Sequence, residues 1–298
     1  KYRKGKGREK ENWKMKIREV IEKILEYHPK FPEEYDGCDG YKSGDPEVEC
    51  TGIVCALVPT VEVIRKTAKL GCNLLYVHEP SYYSTPDYPD WRAGFENKIY
   101  EEKRNLLEEN GIVIWRDHDH AHAHKPDSIF TGVIKYLGWQ DNQTGEDGMA
   151  KIFEFSDMTV EKMNKMLKEK LLLNGIRYIG KPEDQITKVA LVGHLLPNIF
   201  EHQATTGNNY CSEYATEVIR LMEEQGVDAI IPGEVIDWTV MSYIRDAVQL
   251  GKAKAAFNIG HFNMEELGMK YAVDWILELL DNEIPVHYVP SEDIYQFA

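Results

Sequence analysis

Residues 62–79 read EVIRKTAKLGCNLLYVHE, and residues 217–234 read EVIRLMEEQGVDAIIPGE. Each stretch is an amphipathic helix pattern, a glycine, a short apolar strand and a glutamate where the strand runs out. Each is followed by a second apolar strand that ends at a histidine. The first is IVIWRDHDHAH (112–122), with His118 and His122; the second is KAAFNIGHFNME (254–265), with His261 and Glu265. In both copies another potential metal ligand stands four residues after the histidine. The repetition predicts two related α/β layered domains with largely parallel sheets. The matched strand ends predict a pseudo-symmetric metal site in the cleft between them.

Outward from the repeat, strands and helices alternate along the chain. TGIVCALV (51–58) reads as a buried strand, followed by a helix over 60–70, strand LLYV (74–77), a helix from about 94 to 109 and strand IVIW (112–115). Beyond a polar, turn-rich stretch come KIFEF (151–155), a helix over 159–173, a strand over 186–192 and a long loop. The repeated helix 213–225, strand DAIIP (228–232), helix 238–250, strand 253–259, helix 263–281 and strand VHYVP (286–290) complete it. Asn263 reads as the N-cap of the last helix. Apolar strands without alternation imply sheets covered on both faces. The polar stretch Gly138–Gly148 places a boundary near residue 140, giving halves of 15–140 and 141–298. Residues 1–14, with the basic run KYRKGKGREK, read as a flexible tail.

Composition narrows the class. The 298 residues are 43% hydrophobic and 29% charged, in the range of ordinary globular chains. A net charge of −15 argues against a nucleic-acid partner. No apolar run approaches the length of a bilayer span, and no signal-peptide core is evident, so the expectation is a cytoplasmic protein without a membrane partner. The five cysteines (Cys38, Cys50, Cys55, Cys72, Cys211) include no CxxC pair, which argues against both a disulfide framework and a cysteine zinc site. GxSxG, P-loop, GxGxxG and HExxH motifs are absent from the sequence.

The chemistry therefore rests on histidines and carboxylates at strand ends, where open α/β sheets place ligands. His78 and Glu79 follow LLYV directly. In RDHDHAHAHKPD, four histidines alternate (His118, His120, His122, His124), and parity alone does not choose among them. The repeat does, because His118 matches His261 and His122 matches Glu265. Glu234 matches Glu79. Imidazoles suit zinc or iron, and carboxylates shift preference toward manganese. One or two such divalent ions per chain would activate a water and polarise a phosphoryl or amide oxygen. The aromatic run with Tyr82, Tyr83, Tyr88 and Trp91 suits stacking on a nucleobase, or packing against a subunit neighbour.

These motifs resemble those of the NIF-three-like family of dinuclear-metal proteins, often named type 2 GTP cyclohydrolase I. The resemblance runs from Met15 through nearly the whole chain. The family's His-His-Pro is His78-Glu79-Pro80 here, and its His-Thr-Asn-Leu-Asp is His118-Asp119-His120-Ala121-His122. His122 thus stands where a bridging aspartate is expected, with Asp119 as a substitute bridge. Gly-His-His-Ala-x-Glu becomes Gly260-His261-Phe262-Asn263-Met264-Glu265, keeping the His261 and Glu265 pair. The resemblance implies a site between two α/β domains and a ring-shaped homohexamer. The expectation is a metal-dependent hydrolase acting on a small phosphorylated or nucleotide-like molecule. In it His78, Glu79, His122, His261 and Glu265 hold metal, while His118 and Glu234 act as acid or base. The alternative is a non-catalytic metal-binding protein for storage, delivery or regulation.

Overall fold

A computed structural model describes residues 15–84, 87, 95–195, 204–205, 211–212 and 214–298. The basic tail at 1–14, Tyr88, Trp91 and much of the long loop after residue 195 lie outside the described residues. The chain forms two compact units: residues up to Lys125 with Ala272–Val289, and Pro126–Tyr271 with Pro290–Ala298. The expected single boundary near residue 140 is therefore replaced by three, at 125/126, 271/272 and 289/290.

The first unit begins with α1 (Ile17–Tyr27), β1 (Gly40–Ser43), β2 (Ile53–Ala56), α2 (Val61–Lys69) and β3 (Leu74–Val77). It continues through α3 (Lys98–Glu109), β4 (Val113–Arg116) and α4 (Asp119–Ala123). The second unit carries α5 (Ser128–Leu137), β5 (Gln143–Asp147), β6 (Ala150–Glu154), α6 (Val160–Leu171), β7 (Arg177–Ile179) and β8 (Lys188–Val192). After the short strands β9 (Ala204–Thr205) and β10 (Cys211–Ser212) come α7 (Tyr214–Glu224), β11 (Ala229–Pro232), α8 (Ser242–Gln249) and β12 (Ala255–Asn258). Helix α9 (His261–Leu279) runs from the second unit into the first, where β13 (Val286–Tyr288) ends the regular structure.

The first sheet has the order β1-β4-β3-β2-β13; β13, β2, β3 and β4 are parallel and β1 is antiparallel. The last strand, expected in the second half, pairs instead with β2 through Val286 opposite Ile53. The second sheet has the order β5-β6-β8-β11-β12-β7, with β8, β11 and β12 parallel. Both copies of the repeat thus place their two strands side by side and parallel, as β3–β4 and β11–β12.

Local chemistry explains the elements. Thr60 caps α2 by accepting from Val63 N, and the glycines after the repeated helices, Gly71 and Gly226, have φ of 72° and 68°. That left-handed conformation ends a helix at little steric cost only for glycine. Along β8, β11 and β12, successive side chains enter opposite cores. Val189, Leu191, Ala229, Ile231, Ala255 and Phe257 pack with Val133, Leu137 and Leu167. Ala190, Val192, Ile230 and Ala256 pack with Val218, Leu221 and Ile244. Both faces are covered, which is why these strands read as unbroken apolar runs.

Two local expectations change. Helix α9 begins at His261, so Asn263 lies inside it and donates through Nδ2 to Ile259 O at 2.8 Å. Helix α5, which follows the histidine run, is an element the sequence reading does not include. Asp127 caps it through Ile129 N and Phe130 N. It approaches α9 closely enough that a Cβ on Gly268 would meet Ile129 Cα at 2.8 Å.

Candidate metal centre

In the first unit the site grows from the carboxyl ends of β3 and β4. His78 is the first residue past β3 and is fully buried. Its Nδ1 lies 2.9 Å from the carbonyl oxygen of Asp117, just past β4. A carbonyl only accepts, so Nδ1 carries the proton and Nε2 is the ligand nitrogen. The neighbouring Arg116 donates through Nε to His78 O at 3.1 Å, fixing the backbone at the strand end.

The histidine run, expected as a loop, folds into α4. Asp39 sets its start: Oδ1 accepts from His118 N and Asp119 N, and Oδ2 accepts from His120 N. A helical turn brings i and i+4 to one face. His118 and His122 therefore meet, with ring centroids 4.9 Å apart, and each lies beside His78, at 4.6 and 4.9 Å. One ligand atom from each of His78, His118 and His122 falls within 4.8 Å of the others. His120 turns to Asp39, with Nδ1 2.6 Å from Oδ2, and His124 stacks on Tyr27 at 4.4 Å.

Carboxylates surround this trio. Glu79 is buried, 3.6 Å from Arg116 Nη2 and 3.9 Å from His118 Nε2. Asp119 Oδ1 lies 2.8 Å from His118 Nδ1, and Tyr35 donates to Asp119 Oδ2 at 2.7 Å. The hydrogen bond from His118, reinforced by that from Tyr35, holds the Asp119 carboxyl well below the usual carboxylate range. Burial, then the facing His78 ring, hold His118 below the ordinary imidazole value despite Asp119. Neutral imidazoles with converging nitrogens are what a divalent ion of the zinc or iron type requires. His78 and His122 fit such an ion, with His118 beside them.

The second unit has its own group at the ends of β8, β11 and β12. His261 opens α9 and Glu265 stands one turn on, so Nε2 and Oε2 come within 2.9 Å. His194, past β8, brings Nε2 to 3.3 Å from Glu265 Oε1, and its ring lies 4.0 Å from that of His261. Glu234, past β11, is 3.6 Å from His261 Nδ1. Glu234 N donates to His194 Nδ1 at 3.2 Å, which leaves the His194 proton on Nε2, directed at Glu265. His194 thus orients the carboxylate, while His261 and Glu265 are the pair suited to an ion. Gly233 makes the arrangement possible, since a Cβ there would meet His194 Nδ1 at 2.6 Å.

His194 is absent from the sequence-based set. It belongs to the strand before the repeated pair, outside the matched segments. The available signal was a histidine two residues past the buried run KVALV.

A family model described as Duf34/NIF3 (NGG1p interacting factor 3) matches residues 15–195. The chain belongs to this family. The Duf34/NIF3 match includes His78, Glu79, His118, His122 and His194, while His261 and Glu265 lie beyond it. A Clostridium perfringens relative named GTP cyclohydrolase 1 type 2 homolog is 24% identical over 279 residues, covering 91% of this chain and 94% of that protein. A Clostridium acetobutylicum relative of the same name is 23% identical over 261 residues, covering 84% and 85%. Among solved structures, a Bacillus cereus protein related to NIF3 matches with a TM-score of 0.70 at 17% identity, covering 96% of this chain and 99% of that one. A Staphylococcus aureus hypothetical protein matches with a TM-score of 0.69 at 17% identity, over 96% and 100%. At that identity the likeness is one of fold. No helix among the described residues is long and apolar enough to cross a membrane.

Proposed function

We propose that this chain is a metal-dependent hydrolase acting on a small phosphorylated or nucleotide-like substrate. The observation that carries this reading is the convergence of His78, His118 and His122 ligand atoms within 4.8 Å of one another, at strand ends of an α/β sheet. His78 and His122 would hold one ion and His261 with Glu265 a second, so the capacity is one or two ions per chain. A divalent ion of zinc, iron or manganese type, when bound, supplies Lewis acidity toward a phosphoryl oxygen. The chain's own residues do the rest. Asp119 orients the His118 ring through Nδ1, as a carboxylate orients a general base. Arg116 holds Glu79 beside His118, where the carboxylate can steady a proton on Nε2. Glu234 stands by His261 Nδ1 and can keep that ring oriented.

The relatives' printed name, GTP cyclohydrolase 1 type 2 homolog, supports including nucleotides among the substrates tested. A homo-oligomer, hexameric by family resemblance, and a cytoplasmic setting are part of this proposal. The test is metal analysis of the purified chain, followed by a panel of phosphoesters and nucleotides. Metal-dependent turnover lost in His118→Ala and Glu265→Ala, with the fold intact, supports the hydrolase. Stoichiometric metal without turnover of any panel member would replace it by the storage, delivery or regulatory reading.

A further inference from the structure

The second unit contains a cavity of about 230 Å³ whose lining includes Arg177, Arg245, Asp237, Ser242 and Asn258. Its position follows from strand pairing. Asn258 ends β12 and stands three residues before His261; Arg177 opens the antiparallel β7 directly opposite Asn258. The antiparallel pairing brings Arg177 to the sheet edge from which His261 emerges. Val235, also lining the cavity, follows Glu234, whose Oε1 lies 3.6 Å from His261 Nδ1. Arg245 comes from the first turns of α8, after the wide helical turn Asp237–Met241, a type of irregularity frequent at functional sites.

In a chain with 50 acidic against 35 basic residues, four of the seven arginines among the described residues are paired with carboxylates; Arg65, exposed on α2, is not, and neither are the two arginines of this cavity. Arg18 pairs with Glu22 and Glu47, Arg104 with Glu101 and Glu108, Arg116 with Glu79, and Arg220 with Glu217, Glu224 and Asp147. Among the described residues, neither Arg177 nor Arg245 lies within ion-pair distance of a carboxylate, although Asp237 lines the same cavity. Two solvent-exposed guanidinium forks, each outside ion-pair distance of a carboxylate, stand together at the carboxyl end of parallel strands, where they can receive a tetrahedral oxyanion. The Ser242 hydroxyl is engaged with Asp237 O at 2.7 Å, while Val235 and Met241 supply an apolar wall for the group esterified to the oxyanion.

We infer that this cavity is a phosphate subsite: Arg177 and Arg245 bind the phosphate of a small phosphorylated molecule presented to the adjacent His261–Glu265 group. The inference rests on the hydrolase reading for what becomes of the molecule, not for its binding. The cavity has room for a phosphate and a few further atoms, so the remainder of the substrate extends outside it.

The test is calorimetric binding of inorganic phosphate and of phenyl phosphate to the full chain at low ionic strength, with bound metal measured in parallel. Wild type binds both; R177Q and R245Q each weaken binding about tenfold, and the double variant abolishes it while keeping its metal. R177K/R245K, which keeps charge and removes the forks, provides the same comparison if the glutamine pair misfolds, with an intermediate loss expected. Unchanged affinity in the folded double variant overturns the subsite, as does failure of wild type to bind either probe at millimolar concentration. Retention by H261A stripped of metal supports it. Binding lost in H261A but kept in the arginine double variant places the anion on the metal, which overturns the subsite and leaves the hydrolase reading standing. Arginine-dependent binding by a chain that takes up no metal keeps the subsite and removes the hydrolase reading.

Discussion

The imidazole of His78 donates from Nδ1 to the backbone oxygen of Asp117 at 2.9 Å, so one strand end fixes the tautomer of a side chain on the next. Strands β3 and β4 pair in parallel with Val77 opposite Arg116, which brings the residues just past them side by side. Ligand geometry in the first unit is thus set by backbone register before α4 contributes. His78→Ala is expected to lower affinity for zinc by at least about 100-fold, judged against the smaller losses that follow removal of groups merely supporting a ligand. Titration with a competing chelator measures this. Unchanged affinity would exclude His78 from the ligand set.

His122 occupies the position where the family resemblance places an aspartate. An imidazole favours zinc or iron, while a carboxylate favours harder ions. His122→Asp should therefore raise affinity for manganese relative to zinc, read as the ratio of the two dissociation constants. A ratio that stays at the wild-type value would show that His122 does not touch the ion.

Asp39 accepts from three backbone N–H groups at the start of α4 and also holds the His120 ring. Removing such a cap costs about 1–2 kcal/mol. Asp39→Ala should show that loss in urea denaturation, together with weaker metal binding, because α4 positions His118 and His122. Loss of stability with full metal affinity would separate the cap from the site.

Lys103 is buried, its Nζ donating to Ser81 O and lying 5.2 Å from the centre of the Tyr83 ring. Burial, only partly opposed by Asp87, pushes its pKa down to about 8 from 10.5. The charged form is thus disfavoured by folding, and the penalty is fully present below pH 8. It is relieved as pH rises through the folded value toward the unfolded one. Wild type should gain stability relative to Lys103→Met between about pH 8 and 10.5, by up to roughly 3 kcal/mol. A difference that does not change over that window would contradict the buried, proton-poor lysine.

Much of this architecture was legible in the sequence because its signals are local. Apolar runs as short as LLYV and AIIP become β3 and β11, and Gly71 and Gly226 take the left-handed conformation that ends their helices. The repeated segments become equivalent helix–strand units, each beside a parallel partner. The choice of His118 and His122 from four histidines came from the repeat, not from the alternation. The structure brings those two together with His78 for another reason: α4 is helical, and an i, i+4 pair shares a face.

Other features depend on contacts distant in sequence. The helical state of the histidine run requires Asp39, about 80 residues upstream, to satisfy its first N–H groups. His194 joins the second group only because β8 lies next to β11, and Gly233 leaves room for its ring. The return of β13 to the first sheet is a pairing with β2, more than 200 residues earlier. By itself, the sequence determined the strands, the helices, the internal repeat and the histidines and glutamates that end its strands, because period, apolarity and turn residues act over a few positions. Only the tertiary structure decided which of those side chains meet, because register and long-range hydrogen bonds arise between segments far apart along the chain.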